Sequence, residues 1–194
     1  MNDQADTSGL GRDDGWGTDS PNVVYHLDVD RVGARWGVRH VDFEEHLGRR
    51  YVCSIVAACD RAPSPRELLE QEVHLHIERG AAQRTIHGIV RQADVFKEAE
   101  GASVTLEVVP ALWLLSQNVR SRVFTDKSVP EVVKTIYEER LGGSQRTIRD
   151  ELTRSYPTHE ILVQYRESDL NFIQRRLEEE GIFFYFAHDG STSS

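Results

Sequence analysis

The sequence predicts an α+β protein that is mainly β, with a small antiparallel barrel-like domain followed by a helix-strand-helix-strand segment. Between residues 23 and 110, short stretches alternate apolar and polar residues or are rich in β-branched residues, with Gly or Pro between them. After about residue 111, apolar residues recur at helical spacing instead. The chain has 194 residues, of which 39% are hydrophobic, so it can bury a sizeable core.

Six stretches account for the predicted barrel. They are VVYHLDVD (23–30), GVRHVDFE (37–44), RYVCSIVAAC (50–59), QEVHLHIE (71–78), RTIHGIVRQADVF (84–96) and ASVTLEVV (102–109). Their regular spacing favours a sheet that curls into a barrel, because closure removes the exposed strand edges. A short helical turn at residues 65–70 is expected to cross one end of this barrel.

The first predicted helix begins at a capping box. Ser128 and Glu131 have the S-x-x-E spacing in which each side chain bonds the other residue's backbone N–H, and apolar residues at helical spacing follow until Gly142. Residues 160–165 then predict a strand.

The second predicted helix begins after Ser168 and ends at Gly181. Leu170, Ile173 and Leu177 share one of its faces. Residues 182–188, IFFYFAH, are so dense in aromatic and β-branched residues that we predict a buried strand there.

These elements divide the chain into four parts. We predict a disordered leader at 1–22, the barrel-like domain at 23–110, an α+β segment at 111–188, and a disordered tail at 189–194. The leader carries five Asp and one Arg and has no apolar run, so we expect neither a folded core nor a secretory signal peptide there.

Charge and hydropathy argue against two classes of partner. Beyond the leader, 27 acidic residues face 22 basic ones and form no basic stripe with interleaved aromatics, so no nucleic-acid partner is expected. The mean hydropathy is −0.49 and no apolar run approaches 18 residues, so no membrane insertion is expected.

The two cysteines fall on the same face of one predicted strand. Cys53 and Cys59 are six residues apart, which at roughly 3.3 Å per residue is too far for a disulfide. We expect both to be small buried hydrophobes in a reducing compartment, without a redox or metal-binding role.

Three histidines offer the best enzymatic hypothesis. His74 and His76 lie on one face of a predicted strand, and a hairpin would bring His87 alongside, so the three imidazoles could hold zinc in a small hydrolase-like domain. Glu72 or Glu78 would have to supply the general base, and no HExxH or CxxC spacing supports the site. The simpler interpretation is that His74 and His76 are polar residues on a solvated strand face.

The end of the predicted second helix and the strand after it suggest a contact surface. Glu178, Glu179 and Glu180 oppose the helix dipole, and such a run either faces solvent or meets a basic partner. In the aromatic run that follows, alternate side chains point to opposite faces, so one face can be core while a neighbouring subunit covers the other.

Three blocks of the chain resemble VgrG-type secretion spike proteins and the related phage tail hub and late control D proteins. RTIHGIV (84–90) is similar to their R-x-F-H-G-I-V strand, and residues 110–139 resemble their P-x-L-W-x-L segment with the R-x-F and K-S-V-P motifs. The most specific block, VQYRESDLNFIQRRLEEEGIFFYF (163–186), is similar to V-Q-Y-x-E-[ST]-D-x-x-F-x-x-R-x-x-E-x-E-G-I-x-Y-x-F. Thr125 departs from the Gln that is common in this family, and residues 35–50 fit only loosely.

The resemblance implies a mechanical role in a type VI secretion spike or a phage baseplate hub. Three copies of such a hub form a homotrimer that connects a hexameric Hcp-type tube to the spike and to other baseplate components, with no cofactor, metal, substrate or catalytic residue. The protein would be cytoplasmic, with export by the machine itself. Because full VgrG proteins continue into a second barrel and further domains, the resemblance implies that residues 111–188 lead toward a second barrel that is missing here, and we expect a truncated form. Phe183, Tyr185, Arg175, Arg176 and Glu180 are the predicted interface residues.

Overall fold

The computed structural model describes residues 23–142 and 147–188. Its strands are β1 (Val23–Val29), β2 (Trp36–Glu44), β3 (Val52–Cys59), β4 (Glu72–Arg79), β5 (Ala82–Lys97), β6 (Ala102–Val109), β7 (Val119–Ser128) and β8 (Thr158–Ser168). Its helices are α1 (Pro65–Leu68), α2 (Val129–Leu141) and α3 (Asp169–Glu179), with a 3-10 helix at Ala111–Ser116. None of the described helices has both the length and the apolar character that a bilayer crossing requires.

The first six strands form one antiparallel sheet in the order β1-β4-β5-β6-β3-β2. The two edge strands, β1 and β2, lie close to each other, so the sheet nearly closes into a barrel. The predicted mainly β class with a barrel-like antiparallel domain is therefore confirmed. The helical turn predicted near residue 65 is α1, where the Ser64 side chain accepts a hydrogen bond from the Glu67 backbone N–H.

Strict alternation explains why these strands enclose a core. In β3, Cys53, Ile55, Ala57 and Cys59 are buried while the residues between them are half-buried, and β6 repeats the pattern. A strand exposes successive side chains on opposite faces, so one set fills the barrel. The expectation of two buried, unpaired cysteines is confirmed. Burial raises the pKa of the Cys53 thiol to about 12, with a smaller contribution from the Asp42 carboxylate.

Strand β5 is long because it bends. Its pairing with β6 shifts register between Val90 and Gln92, which marks an irregularity of the β-bulge type that increases the local curvature. Just before that bend, Gly88 lies where an added Cβ would sit only 2.5 Å from a Val108 methyl group and 2.9 Å from the Tyr51 hydroxyl. The Gly of the RTIHGIV block is therefore required by close packing.

Residues 111–188 form a second layer around a separate hydrophobic cluster. Strands β7 and β8 pair as an antiparallel ribbon, and its inner side packs on α2 and α3 through Phe124, Leu162 and Phe172. Both predicted helix starts are confirmed. Ser128 and Glu131 form the reciprocal capping box of α2, and the Ser168 hydroxyl accepts from the Asn171 backbone N–H at the start of α3.

Two features of this layer differ from the sequence prediction. We expected helices directly after residue 111, but the 3-10 helix is followed by β7, which the prediction missed, and β8 is longer than the predicted 160–165. The prediction of a buried strand at 182–188 was wrong. Among the described residues no strand pairs with this segment, and its residues alternate between half-buried and exposed, because a β-rich sequence forms a sheet only where a partner strand is available.

The predicted leader (1–22) and tail (189–194) lie outside the described residues. The predicted division of the chain at residue 110 stays a prediction.

Candidate assembly interface

A buried polar network joins β8 to α3. The Asp169 side chain is fully buried, and its Oδ1 accepts hydrogen bonds from Arg122 Nη2 at 2.8 Å and from Gln164 Nε2 at 2.9 Å. Arg122 Nε also donates to Gln164 Oε1 at 2.8 Å. Each member therefore bonds the other two, and Arg122 supplies the opposite charge that a buried carboxylate requires.

The same arginine ties this network to the first helix. Arg122 Nη1 lies 2.7 Å from a Glu139 carboxylate oxygen on α2, so one guanidinium bonds α2, β8 and α3 from its place on β7. Arg120 adds a second cation, 3.9 Å from Asp169 Oδ2. Because these bonds are directional, the network holds the ribbon and both helices in one arrangement.

The V-Q-Y-x-E-S-D block of the sequence is thus largely a structural motif. Gln164 and Asp169 form the network, Ser168 caps α3, and Glu167 pairs with Arg175 across the joint at 2.5 Å. Beside it, the Phe172 ring stacks on Phe124 with centroids 5.9 Å apart and nearly parallel planes. These residues give the strand-helix joint both polar and apolar contacts.

Two of the predicted interface residues are engaged in ion pairs within the chain. Arg175 bonds Glu167 and Glu179, and Arg176 bonds Glu179 at 2.7 Å. The Glu167 carboxylate holds the pKa of Arg175 above its usual range, with Glu179 contributing less. Burial acts to raise the pKa of Glu179, but the hydrogen bonds from Arg176 and Arg175 outweigh it and lower that pKa. A partner would therefore meet neutralised ion pairs here.

Glu180 is also bonded within the chain. Its carboxylate lies 2.9 Å from His159 Nε2 at the start of β8, and its backbone carbonyl accepts a hydrogen bond from Arg154. Gly181 follows with a positive φ of 67°, which L side chains rarely adopt, so the chain turns out of α3 at this point. Glu180 therefore anchors the end of α3, and its predicted interface role stays a prediction.

The segment 182–188 bridges the two hydrophobic clusters with one of its faces. Ile182 and Phe184 pack against the cluster of the helices, while Phe186 packs against the barrel core, with its ring 5.2 Å from that of Tyr51. The Gly48 backbone N–H donates to the Phe184 carbonyl at 2.8 Å, so the segment is held to the barrel by its backbone as well.

The opposite face of that segment carries the other two predicted interface residues. Phe183 is 64% exposed and Tyr185 is 55% exposed, and the Tyr185 hydroxyl donates to Glu151 at 2.9 Å. Their exposure is what an interface requires, and their interface role stays a prediction. We refer to Phe183 and Tyr185 together as the aromatic ridge.

A larger exposed apolar surface lies on the outer side of the β7–β8 ribbon. Its members come from alternate positions of both strands, and Val123 and Val163 face each other directly across the ladder. We call the set the ribbon face: Val119, Val123, Ile161, Val163 and Tyr165, with exposures between 42% and 68%. The sequence prediction missed this face because β7 was not recognised. Its outer positions, Val119, Ser121, Val123 and Thr125, are uncharged and two residues apart, and this spacing could have indicated a strand.

The histidines of the zinc hypothesis do not converge. His74 and His87 are cross-strand neighbours whose Nδ1 atoms are 2.8 Å apart, but His76 Nδ1 bonds the Thr85 hydroxyl instead. Within residues 23–142 and 147–188, no three His, Cys, Asp or Glu side chains are grouped so that they could hold a metal ion. The simpler interpretation, polar residues on the outer strand face, fits this arrangement.

One open depression of about 470 Å³ lies where the segment 182–188 meets the barrel. Its lining includes Glu45 and Arg84, which pair at 3.2 Å, as well as Phe186 and His188. Arg84 also lies over the Phe43 ring at 4.5 Å, so its guanidinium is already engaged in an ion pair and in a cation–π contact.

Comparison with known proteins identifies the class. The model of the phage tail baseplate hub (GPD) family matches residues 44–193, and the chain belongs to this family, as the sequence motifs predicted. The chain is 34% identical over 155 residues to the type VI secretion system spike protein VgrG1a of Pseudomonas aeruginosa, covering 78% of this chain and 24% of that protein. It is 31% identical over 176 residues to VgrG1b of the same organism, covering 89% and 22%.

A solved structure supports the same assignment. The E. coli c3393 protein, described as a type VI secretion component with structural similarity to the T4 bacteriophage tail proteins gp27 and gp5, superposes with a TM-score of 0.74. The identity is 26%, and the match covers 84% of this chain and 45% of that one. The chain thus spans about a quarter of the length of the two VgrG relatives and under half of this solved chain.

Proposed function

We propose that this chain is a structural component of a contractile injection machine, a hub-like part of a type VI secretion spike or of a phage baseplate. The observation that carries the proposal is the family match over residues 44–193, which includes the whole strand-helix joint. The joint uses its charged residues in internal bonds, as expected for a part that transmits force and carries out no chemistry. Accordingly, we propose no catalytic residue and no cofactor.

The finer proposal is a homotrimeric adaptor that seats on a hexameric Hcp-type tube and contacts other spike or baseplate components. Hub relatives are named as spike proteins, and a trimer on a sixfold tube would need apolar surfaces that face neighbouring subunits. The aromatic ridge and the ribbon face are exposed surfaces of that kind.

The test is the mass of the full chain in solution. Light scattering at increasing concentration, with and without purified Hcp-type tube protein, should show a trimer or a complex with the tube. A chain that stays monomeric under both conditions would refute the adaptor role.

We also propose that the protein is made in the cytoplasm and leaves the cell only through the machine. Fractionation of producing cells should then find it in the cytosol, and in the medium only when the secretion apparatus is intact. Secretion that persists in cells without the apparatus would contradict this.

A further inference from the structure

The ribbon face has the apolar composition that is typical of a sheet face covered by another protein surface. Its outer positions are five apolar side chains with Ser121 and Thr125 between them, and none of the seven is charged. Helices α2 and α3 already occupy the inner side of the ribbon, so this outer face has no contact with the core behind it. Exposed contiguous apolar surface of this kind marks an interaction site in soluble proteins.

The aromatic ridge is a second uncovered apolar surface on the same chain. Phe183 and Tyr185 project from a segment whose other face is fastened to the barrel, so the two rings are held in place and are not free to fold inward. Rigid aromatic anchors are enriched among the residues that dominate interface energy. Since both surfaces remain exposed, neither covers the other within one protomer.

We infer that the aromatic ridge of one protomer docks on the ribbon face of a second copy. The inference rests on the proposed self-assembly of the hub and names its two surfaces. A contact between two different patches is head-to-tail, so each copy uses its ridge once and its ribbon face once. Such contacts close into a ring when the rotation between copies allows it, and a homotrimer is the smallest ring beyond a dimer.

The charges around the two surfaces agree with this pairing. Arg166 is an exposed cation at the end of the ribbon face beside Tyr165, whereas the ridge lies beside the exposed carboxylate of Glu151. Glu178, just before the ridge, is a further exposed acid, and Arg154 is the basic residue nearby.

At the opposite end of the ribbon, Lys127 is half-buried and donates to the Thr135 hydroxyl, while Asp126 and Glu160 are exposed and would repel the acidic surroundings of the ridge. The ridge therefore docks with Glu151 toward the Arg166 end. Complementary potentials of this kind set the orientation of a contact more than its strength.

Two charge insertions test the pairing. Val163→Glu on the ribbon face and Phe183→Glu on the ridge should each weaken self-association at least about tenfold, because each desolvates a carboxylate without a partner. Phe96→Glu is the matched control, since Phe96 is 66% exposed but belongs to neither surface. Tyr165→Glu repeats the ribbon test if Val163→Glu fails to fold, and thermal unfolding of each variant checks the fold.

Mixing the two variants gives the sharpest result. Val163→Glu keeps an intact ridge and Phe183→Glu keeps an intact ribbon face, so an equimolar mixture should form a dimer through one good contact and stop there. Native mass spectrometry should detect this heterodimer in the mixture and only monomers in each variant alone.

Cross-linking provides an independent measurement. Val163→Cys and Phe183→Cys chains, mixed and treated with a short bis-maleimide, should give covalent dimers, whereas each chain alone and the pair Phe96→Cys with Phe183→Cys should not. The native Cys53 and Cys59 are buried and do not compete.

The outcomes separate this inference from the proposed function. A trimer that tolerates both charge insertions, or that responds to only one of them, would overturn the ridge-to-ribbon contact while leaving the hub role intact. A wild-type chain that remains monomeric with and without tube protein would overturn both.

Discussion

The barrel and the ribbon-helix layer of this protein satisfy their side chains in opposite ways. In the barrel, the buried positions of β3 and β6 are all apolar or cysteine, and a nearly closed sheet covers them from every side. In the ribbon-helix layer, the centre holds the Arg122–Gln164–Asp169 network, and one whole side of the ribbon stays uncovered. The barrel strands enclose a core that Phe186 also packs against, whereas the second layer adds a polar network to its apolar cluster and leaves one side of the ribbon exposed.

This difference suggests a division of labour. Apolar contacts have no directional preference, so the barrel core gives stability without fixing the orientation of neighbouring segments. Charged hydrogen bonds depend on geometry, so the network can hold α3 and the following aromatic segment at a defined orientation. The proposed adaptor role would use both properties.

The largest loss of stability is expected when the buried Asp169 carboxylate of the ribbon-helix layer is removed. Asp169→Ala should lower the free energy of unfolding by about 3–5 kcal/mol, because Arg122 and Gln164 lose their shared acceptor. Urea denaturation followed by circular dichroism measures the change. Asp150→Ala is the matched control, since it removes a carboxylate that pairs with Lys134 at the surface, and its effect should be much smaller. Equal losses in the two variants would refute a structural network.

A substitution in the barrel core should reduce the free energy of unfolding by less than Asp169→Ala, and it should act through packing alone. Gly88→Ala places a methyl group against Val108, the Val109 carbonyl and the Tyr51 hydroxyl, and overpacking of this kind destabilises by about 1–3 kcal/mol. In Gly37→Ala the new Cβ meets only the Ala58 Cβ at 3.9 Å, so this control should behave like wild type in the same denaturation experiment. Similar stability of the two variants would show that the barrel can shift to accommodate a methyl group at Gly88.

A smaller effect is expected at the start of α3. Ser168→Ala removes the acceptor for the Asn171 backbone N–H and should reduce the free energy of unfolding by about 1 kcal/mol. Ser168→Thr keeps a hydroxyl acceptor and should recover most of this loss. If Ser168→Thr is as unstable as Ser168→Ala, the loss reflects packing at this buried position and not the cap.

The burial of Cys53 in the nearly closed barrel also predicts that its thiol affects stability at alkaline pH and not at neutral pH. Burial raises the pKa of Cys53 from 9.0 to about 12, so the folded state keeps its proton where the unfolded state loses it. Stability should therefore be unaffected below about pH 9 and should fall as the pH rises from 9 toward 12. At pH 8 a thiol reagent should find no reactive cysteine until denaturant is added, when both become accessible. Rapid reaction of the native chain would contradict a sealed barrel.

Local sequence patterns predicted much of this fold because their causes are local. The alternation in β3, the capping box at Ser128 and the Ser168 cap each involve residues no more than a few positions apart, and all three are found as expected. The family resemblance in residues 163–186 is confirmed by the hub-family match. Of the predicted site residues, Phe183 and Tyr185 are exposed as an interface requires, while Arg175, Arg176 and Glu180 are bonded inside the chain.

Other features depend on residues that are distant in sequence, and there prediction failed. β7 was missed because its partner β8 begins some 30 residues later, after α2. The aromatic segment 182–188 has strand-like composition, but among the described residues it finds backbone contacts without a pairing strand. The Arg122–Asp169 bond spans 47 positions, and neither residue alone indicates the other.

The sequence by itself determined where α2 and α3 begin, which residues are apolar, and to which family the chain belongs, because these follow from neighbouring residues and recognisable motifs. Only the tertiary structure decided which charges are buried together, which strands pair, and which apolar residues remain outside. Those outcomes depend on contacts between distant parts of the chain, and the free energy of such a contact exists only once the fold has brought both sides together.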